Sequence, residues 1–178
     1  MNPQELVGKG FSPEFAVFIT SMLPIVELRG ALPLAINLFN FSWLKAFLIA
    51  FLGNLLPIPF ILLLFDPLFK KLQKFRFFAS FFRWLFERTR KKGKVVEKYK
   101  EVGLMIFVAI PLPATGAWTG ALIAYLLGLE FKKSLLFISM GVFIAGVIVT
   151  SLCLLGYLGA MIAGFLLVTL AIIGVWKI

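Results

Sequence analysis

Two opposite charges stand two residues apart in an otherwise uncharged stretch from Phe15 to Leu44: Glu27 and Arg29, in the run PIVELRGALP over 24–33. Moving either charge into hydrocarbon costs at least ~2.5–3.5 kcal/mol on insertion scales, so each is a functional candidate by default. A guanidinium suits an anionic oxygen such as phosphate, which it can hold through paired hydrogen bonds. A carboxylate taken out of water is a candidate proton carrier. On a regular helix, residues two apart point in nearly opposite directions. Pro24, Gly30 and Pro33 would allow an unwound segment on which both charges converge. The plainer alternative is a structural ion pair at a membrane surface.

A second constellation, PLPATGAWTG over 111–120, carries no charge. A half-helix starting there would offer free backbone amides, the hydroxyls of Thr115 and Thr119, and the indole N–H of Trp118. Such a terminus favours an anion. Gly116 and Gly120, four apart, are also a close-packing motif for helices. The expected substrate-binding set is Glu27, Arg29, Gly30, Thr115, Gly116, Trp118 and Thr119, with Glu27 also the proton-coupling group. The expected breaks fall at Pro24, Pro33, Pro111, Pro113 and Gly120.

Much other chemistry is missing. There is no His, and the one Cys is Cys153, inside a long apolar run. That excludes disulfides within the chain, Cys/His zinc sites and His-dependent catalytic triads. No phosphate-binding G-x-x-x-x-G-K-[ST] loop occurs. No nucleophile–base pair is evident, so the expectation is a non-enzyme with no catalytic residues, no metal and no cofactor.

The elements that must position the two constellations follow from composition and run length. The chain has 178 residues, of which 61% are apolar and 15% charged. Its mean hydropathy is +1.02. A soluble domain is roughly half apolar and a quarter charged, so the expected class is an all-α polytopic membrane protein. A helix needs about 20 residues to cross the hydrocarbon core. Ala46 to Phe65 supplies twenty uncharged residues, one span, and Ser134 to Trp176 supplies forty-three, two spans with a turn near Gly156–Gly159. Two regions fit this measure badly. Glu27 and Arg29 cut the first into pieces of twelve (Phe15–Val26) and fifteen (Gly30–Leu44) residues. The second, Val102 to Leu129, has twenty-eight uncharged residues interrupted by Pro111 and Pro113. Both read as re-entrant hairpins, a half-helix in and a half-helix out. Unwound backbone at that depth needs protein or a polar cavity around it. One kinked full-length span in each region is the alternative.

The expected organisation is one membrane domain. It runs as re-entrant hairpin 11–39, span 42–65, amphipathic basic segment 66–102, re-entrant hairpin 103–129, and spans 131–155 and 157–176. A shift of 90 residues lays Gly30-Ala31-Leu32 on Gly120-Ala121-Leu122, Phe41 on Phe131 and Phe47 on Phe137. The two halves therefore read as a repeat. Charge orients them. Between Asp66 and Glu101 lie twelve Lys/Arg against four Asp/Glu, which reads as cytoplasmic. The C-terminus then also falls on the cytoplasmic side, and the halves are inverted relative to each other. Inverted repeats with broken helices are a transporter architecture, with the site at the repeat interface.

Within the basic segment, Leu72, Phe75, Phe78, Phe82 and Leu85 recur at helical spacing, flanked by Lys70, Lys71, Lys74, Arg83 and Arg88. Such a helix lies on a membrane surface, with anionic headgroups as partners. Nucleic-acid binding is not expected of a stretch this rich in Phe. The small-residue faces would suit a homodimer. The expected location is the plasma membrane of a prokaryote.

The strings PIVELRGALPLAI and PLPATGAWTGALIAYLLGL, with the basic stretch between them, resemble the small multidrug-export membrane protein family of bacteria and archaea, grouped with the DedA/VTT superfamily. The resemblance covers nearly the whole chain from Leu23 on. It implies paired re-entrant hairpins facing each other. It also implies recycling or flipping of lipid carriers such as undecaprenyl phosphate, with proton-motive force and drug resistance as associated themes. Glu27 matches the acidic residue of the first hairpin. DedA proteins carry arginines in or after the second hairpin; this chain has none there, and Arg29 sits in the first.

The leading expectation is a transporter or flippase for an anionic amphiphile, such as a polyprenyl phosphate, that is proton-coupled through Glu27. The second is a proton-coupled exporter of small hydrophobic drugs, with Glu27 as the binding carboxylate. The third is a membrane-embedded scaffold or assembly protein that docks partners on its basic block.

Overall fold

A computed structural model describes residues 10–72, 94–112 and 115–156, together with 158, 159, 161, 162, 164, 165 and 169. The stripe from Phe75 to Leu85, Pro113, and most of the expected last span at 157–176 lie outside the described residues. Among the described residues the chain is mostly helical and has no strand.

Helix α1 spans Pro13–Met22. It begins where three signals coincide. The Ser12 side chain accepts the Phe15 amide at 3.2 Å, Pro13 has no N–H to lose, and Glu14 meets the positive end of the helix. It stops at Leu23, whose extended backbone suits the residue before Pro24. Helix α2, Glu27–Pro33, resumes after a four-residue break and passes into a π-helical turn, Leu34–Leu38. The wider turn starts at the proline that cannot donate to the ladder. Gly30 and Pro33, expected to be unwound, therefore sit in continuous helix, and the unwinding lies before Glu27. Glu27 itself turns the chain, with φ +52°. A non-glycine residue in this left-handed region stores about 1–3 kcal/mol of strain, which its surroundings must hold.

Helix α3, Trp43–Leu55, and helix α4, Pro57–Leu72, follow each other with a single interruption at Leu56. Pro57 removes the hydrogen bond that would have joined them. Helix α5, Lys94–Ala109, bends at Lys100, where φ is +47°. It ends just ahead of Pro111. Helix α6, Ala117–Leu126, starts after Gly116, so Gly120 lies in its first turns rather than in the break. Helix α7, Phe131–Leu154, runs to a turn at Gly156, where φ is +56°.

The two halves share an element order: helix, break, short helix, long helix. Helices α1, α2 and α6 have 10, 7 and 10 residues. Ten residues make about 15 Å, half the hydrocarbon core. Among the described residues, two helical segments are long and apolar enough to cross it, Trp43–Leu64 and Phe131–Leu154. Their outward faces carry Leu48, Leu52, Phe60, Leu63, Leu136, Met140, Phe143 and Val147 in the open. Their inward faces are rich in small residues, with Ala46, Ala50, Gly141 and Ala145 buried beside Ile58 and Ile138. Large apolar residues outside and small ones inside is the arrangement expected when the solvent is lipid. This is a membrane protein.

Helix α1 packs on α3, α5 on α7, and α2 lies between α3 and α7. The α1–α3 contact is backbone-close. The Ser21 hydroxyl donates to the Ala50 carbonyl at 2.5 Å, and a Cβ on Gly53 would stand 2.5 Å from the Phe18 oxygen. The core beneath the breaks is Val17, Leu28, Leu32, Ile58, Leu104, Val108, Ile123 and Ile138.

Candidate functional site

A helix that breaks inside a membrane leaves carbonyls behind and amides ahead with no partner, and no water is there to replace them. The tips of the two breaks solve this for each other. Past α5 the chain leaves helical geometry. The Leu112 amide turns to the Ile110 oxygen at 2.8 Å, and Pro111 has none to give. The carbonyls so freed are taken by Arg29 from the other half. Its Nη1 donates to Leu112 O at 2.6 Å, and its Nη2 donates to Val108 O at 3.0 Å and Ile110 O at 3.1 Å. A cation at the negative end of α5 is also favoured by the helix dipole. The Thr115 hydroxyl lies nearer to Ile110 O, at 2.7 Å, than to Leu112 O, at 2.9 Å.

Glu27 serves the other side of the same break. Its Oε1 accepts the Trp118 amide at 3.4 Å, at the positive start of α6. The Ala117 amide lies beside it. Gly116 makes this approach possible, because a Cβ there would occupy the space of the Glu27 carboxylate. The strained φ of Glu27 aims the side chain this way. Trp118 returns the contact: its indole N–H donates at 3.1 Å to Met22 O, a carbonyl left over at the end of α1.

Glu27 and Arg29 are thus brought to one place, but they touch only at the limit of an ion pair, 4.0 Å. Each has its closer partner on the opposite break. Glu27 is 6% exposed. Beneath the pair lies a small cavity lined by both charges and by Asn54, Val108, Ala117 and Val142, with room for about one water.

Of the residues expected at the site, Glu27, Arg29, Thr115, Gly116 and Trp118 meet here. Gly30 lies one turn into α2 and Thr119 lies within α6, Pro24 and Pro111 sit in the two breaks, and Pro113 is outside the described residues. The expected free amides of α6 face Glu27, because the charge that the second break lacks comes from the first. Two contributors were not anticipated, Asn54 and the Met22 carbonyl. Asn54 could have been found as the amide inside the Ala46–Phe65 run, since a polar side chain in a span is a candidate by default. A backbone carbonyl leaves no mark in a sequence. Among the described residues, no group of three His, Cys, Asp or Glu could hold a metal ion.

The family described as "Putative small multi-drug export protein" matches residues 27–148, from the Glu27 turn into the C-terminal third of α7. No curated protein and no solved structure matches the chain.

Proposed function

The chain belongs to that export-protein family, and from this premise we propose that the two breaks are the closed gate of a membrane exporter for an anionic amphiphile. The observation that carries the proposal is the Glu27 carboxylate on the Trp118 amide at the start of α6. A carboxylate on a helix N-terminus occupies an anion site. Glu27 is the internal occupant, and the cargo headgroup is its replacement. When Glu27 takes a proton it gives up the charge that holds it there. The α6 amides then become free for a phosphate-type head, with Arg29 alongside. The tail stays in lipid, which suits a protein with so little polar lining. A phosphate-headed lipid carrier such as a polyprenyl phosphate fits this chemistry.

In this reading the two halves enter from opposite leaflets as re-entrant hairpins, an inverted repeat, and the basic segment 66–102 faces the cytoplasm. A kinship with the DedA/VTT superfamily accords with it. A second reading is favoured by the family description itself. Glu27 would then bind a small hydrophobic cation in exchange for protons, and Arg29 would only hold the second break.

Purified protein in liposomes separates the readings. Dye-labelled phosphate-headed lipid should change leaflets in wild type, faster with a pH gradient, and Glu27→Gln should abolish the effect of the gradient. Movement of hydrophobic cations alone would favour the second reading. Movement of neither would leave a scaffold.

A further inference from the structure

Asn54 lies on α3 in the middle of a membrane-crossing segment, is 2% exposed, and its Oδ1 has no hydrogen-bond partner. A buried acceptor without a donor is costly, and one in a native core calls for an occupant. Asn54 is one of the residues that line the small cavity of Glu27 and Arg29, with Leu28, Val108, Val142 and Ala145 as apolar walls. Three polar groups from two helices converge on a space for about one water.

The occupant can be narrowed by chemistry. It must donate to Asn54, accept from or sit near a guanidinium, and reach a carboxylate. Purely apolar cavities stay empty, and polar ones of this size hold a water with two to four partners. A divalent cation needs six or more oxygens and would face Arg29. Water meets every requirement: it donates to Asn54 Oδ1 and to Glu27 and accepts from Arg29. Of the lining residues only Glu27 and Arg29, both on α2, are charged. Helices α3, α5, α6 and α7 contribute Asn54, Val108, Ala117, Val142 and Ala145.

We propose that Asn54 holds one buried water in this cavity and that this water passes protons to and from Glu27. In the step, a proton arriving on the water moves to a Glu27 carboxylate oxygen, leaving a neutral water and a neutral carboxyl; the reverse step regenerates the carboxylate. The relay rests on the reading of Glu27 as the proton-coupling group, whereas the water site stands without it. Asn54 is a positioning residue.

Two measurements on the full chain in lipid vesicles test this. Water-edited solid-state NMR of asparagine-labelled protein should show transfer from water to the Asn54 side-chain amide, assigned by its loss in Asn54→Leu. No transfer in wild type would overturn the water site. Cargo-linked proton flux, read by a pH dye inside the vesicles, should fall at least about tenfold in Asn54→Leu. It should persist in Asn54→Ser, which keeps a polar partner and leaves more room. Equal flux in helical, monodisperse Asn54→Leu protein, or loss in Asn54→Ser as complete as in Asn54→Leu, would overturn the relay. A wild type with the water contact and no cargo-linked proton flux would refute proton coupling while leaving the water site in place.

Discussion

Gly116→Ala places a methyl group where the Glu27 carboxylate rests. The Gly116 backbone is tied to α6 by the Gly120 amide on its carbonyl, so the freer group is the Glu27 side chain. The side chain must leave. It loses the charge-assisted bond to the Trp118 amide, which at 3.4 Å is worth about 1.5 kcal/mol, and part of its attraction to the α6 terminus, up to about 2 kcal/mol when partly buried. These overlap, so a net of about 3 kcal/mol is reasonable. At 1.4 kcal/mol per decade, that shifts the balance from closed to open on the order of 100-fold. The assay is thiol accessibility. Cys153→Ser removes the one native thiol, and Val142→Cys puts a reporter of similar size on the cavity wall. Alkylation by a small maleimide should then be faster in the Gly116→Ala background by up to about 100-fold, if labelling follows opening. An unchanged rate in folded protein would mean that the carboxylate does not hold the gate.

Arg29→Lys keeps the charge but gives up the fork that reaches three carbonyls. It should lower stability by about 2 kcal/mol, seen as a lower Tm in detergent. Arg29→Met leaves Glu27 buried without its countercharge and should cost more, about 3–5 kcal/mol, unless Glu27→Gln is made with it. A double-mutant cycle reads that coupling. Trp118→Phe removes the indole bond to Met22 and should cost about 1 kcal/mol, with faster hydrogen exchange at the end of α1. Ser21→Ala should cost only about 0.5–1 kcal/mol, because Ala50 keeps its place in the α3 ladder; a drop several times larger would mean that the α1–α3 contact is under more load than its geometry indicates.

Run length and proline placement made the long helices and both interruptions legible. Phe131–Leu154 ends within a residue of the expected span 131–155, and the helices end just ahead of Pro24 and Pro111, where a proline removes a donor and restricts its predecessor. Glycine was a poorer guide. Gly30 and Gly120 lie in helix because their missing side chains admit Val26 and Val108, which a sequence does not distinguish from a need to unwind. The turn that matters falls on Glu27, a residue with no preference for positive φ, held there by a contact with Trp118, 91 residues on. The convergence of the two charges was legible from their cost in lipid, but their partners were not. Arg29 spends its donors on backbone carbonyls, and carbonyls are present at every position. Asn54 carries no charge, so it marks its site less plainly than Glu27 or Arg29.

In the proposed mechanism the two tips separate during transport. Cysteines at Met22 and Trp118, in a Cys153→Ser background, can be joined by a short bifunctional thiol reagent with a cleavable centre. Joined protein in liposomes should translocate nothing and recover when the link is cleaved. Full transport by the joined protein would show that cargo crosses without parting the tips, and the gate described here would not be one.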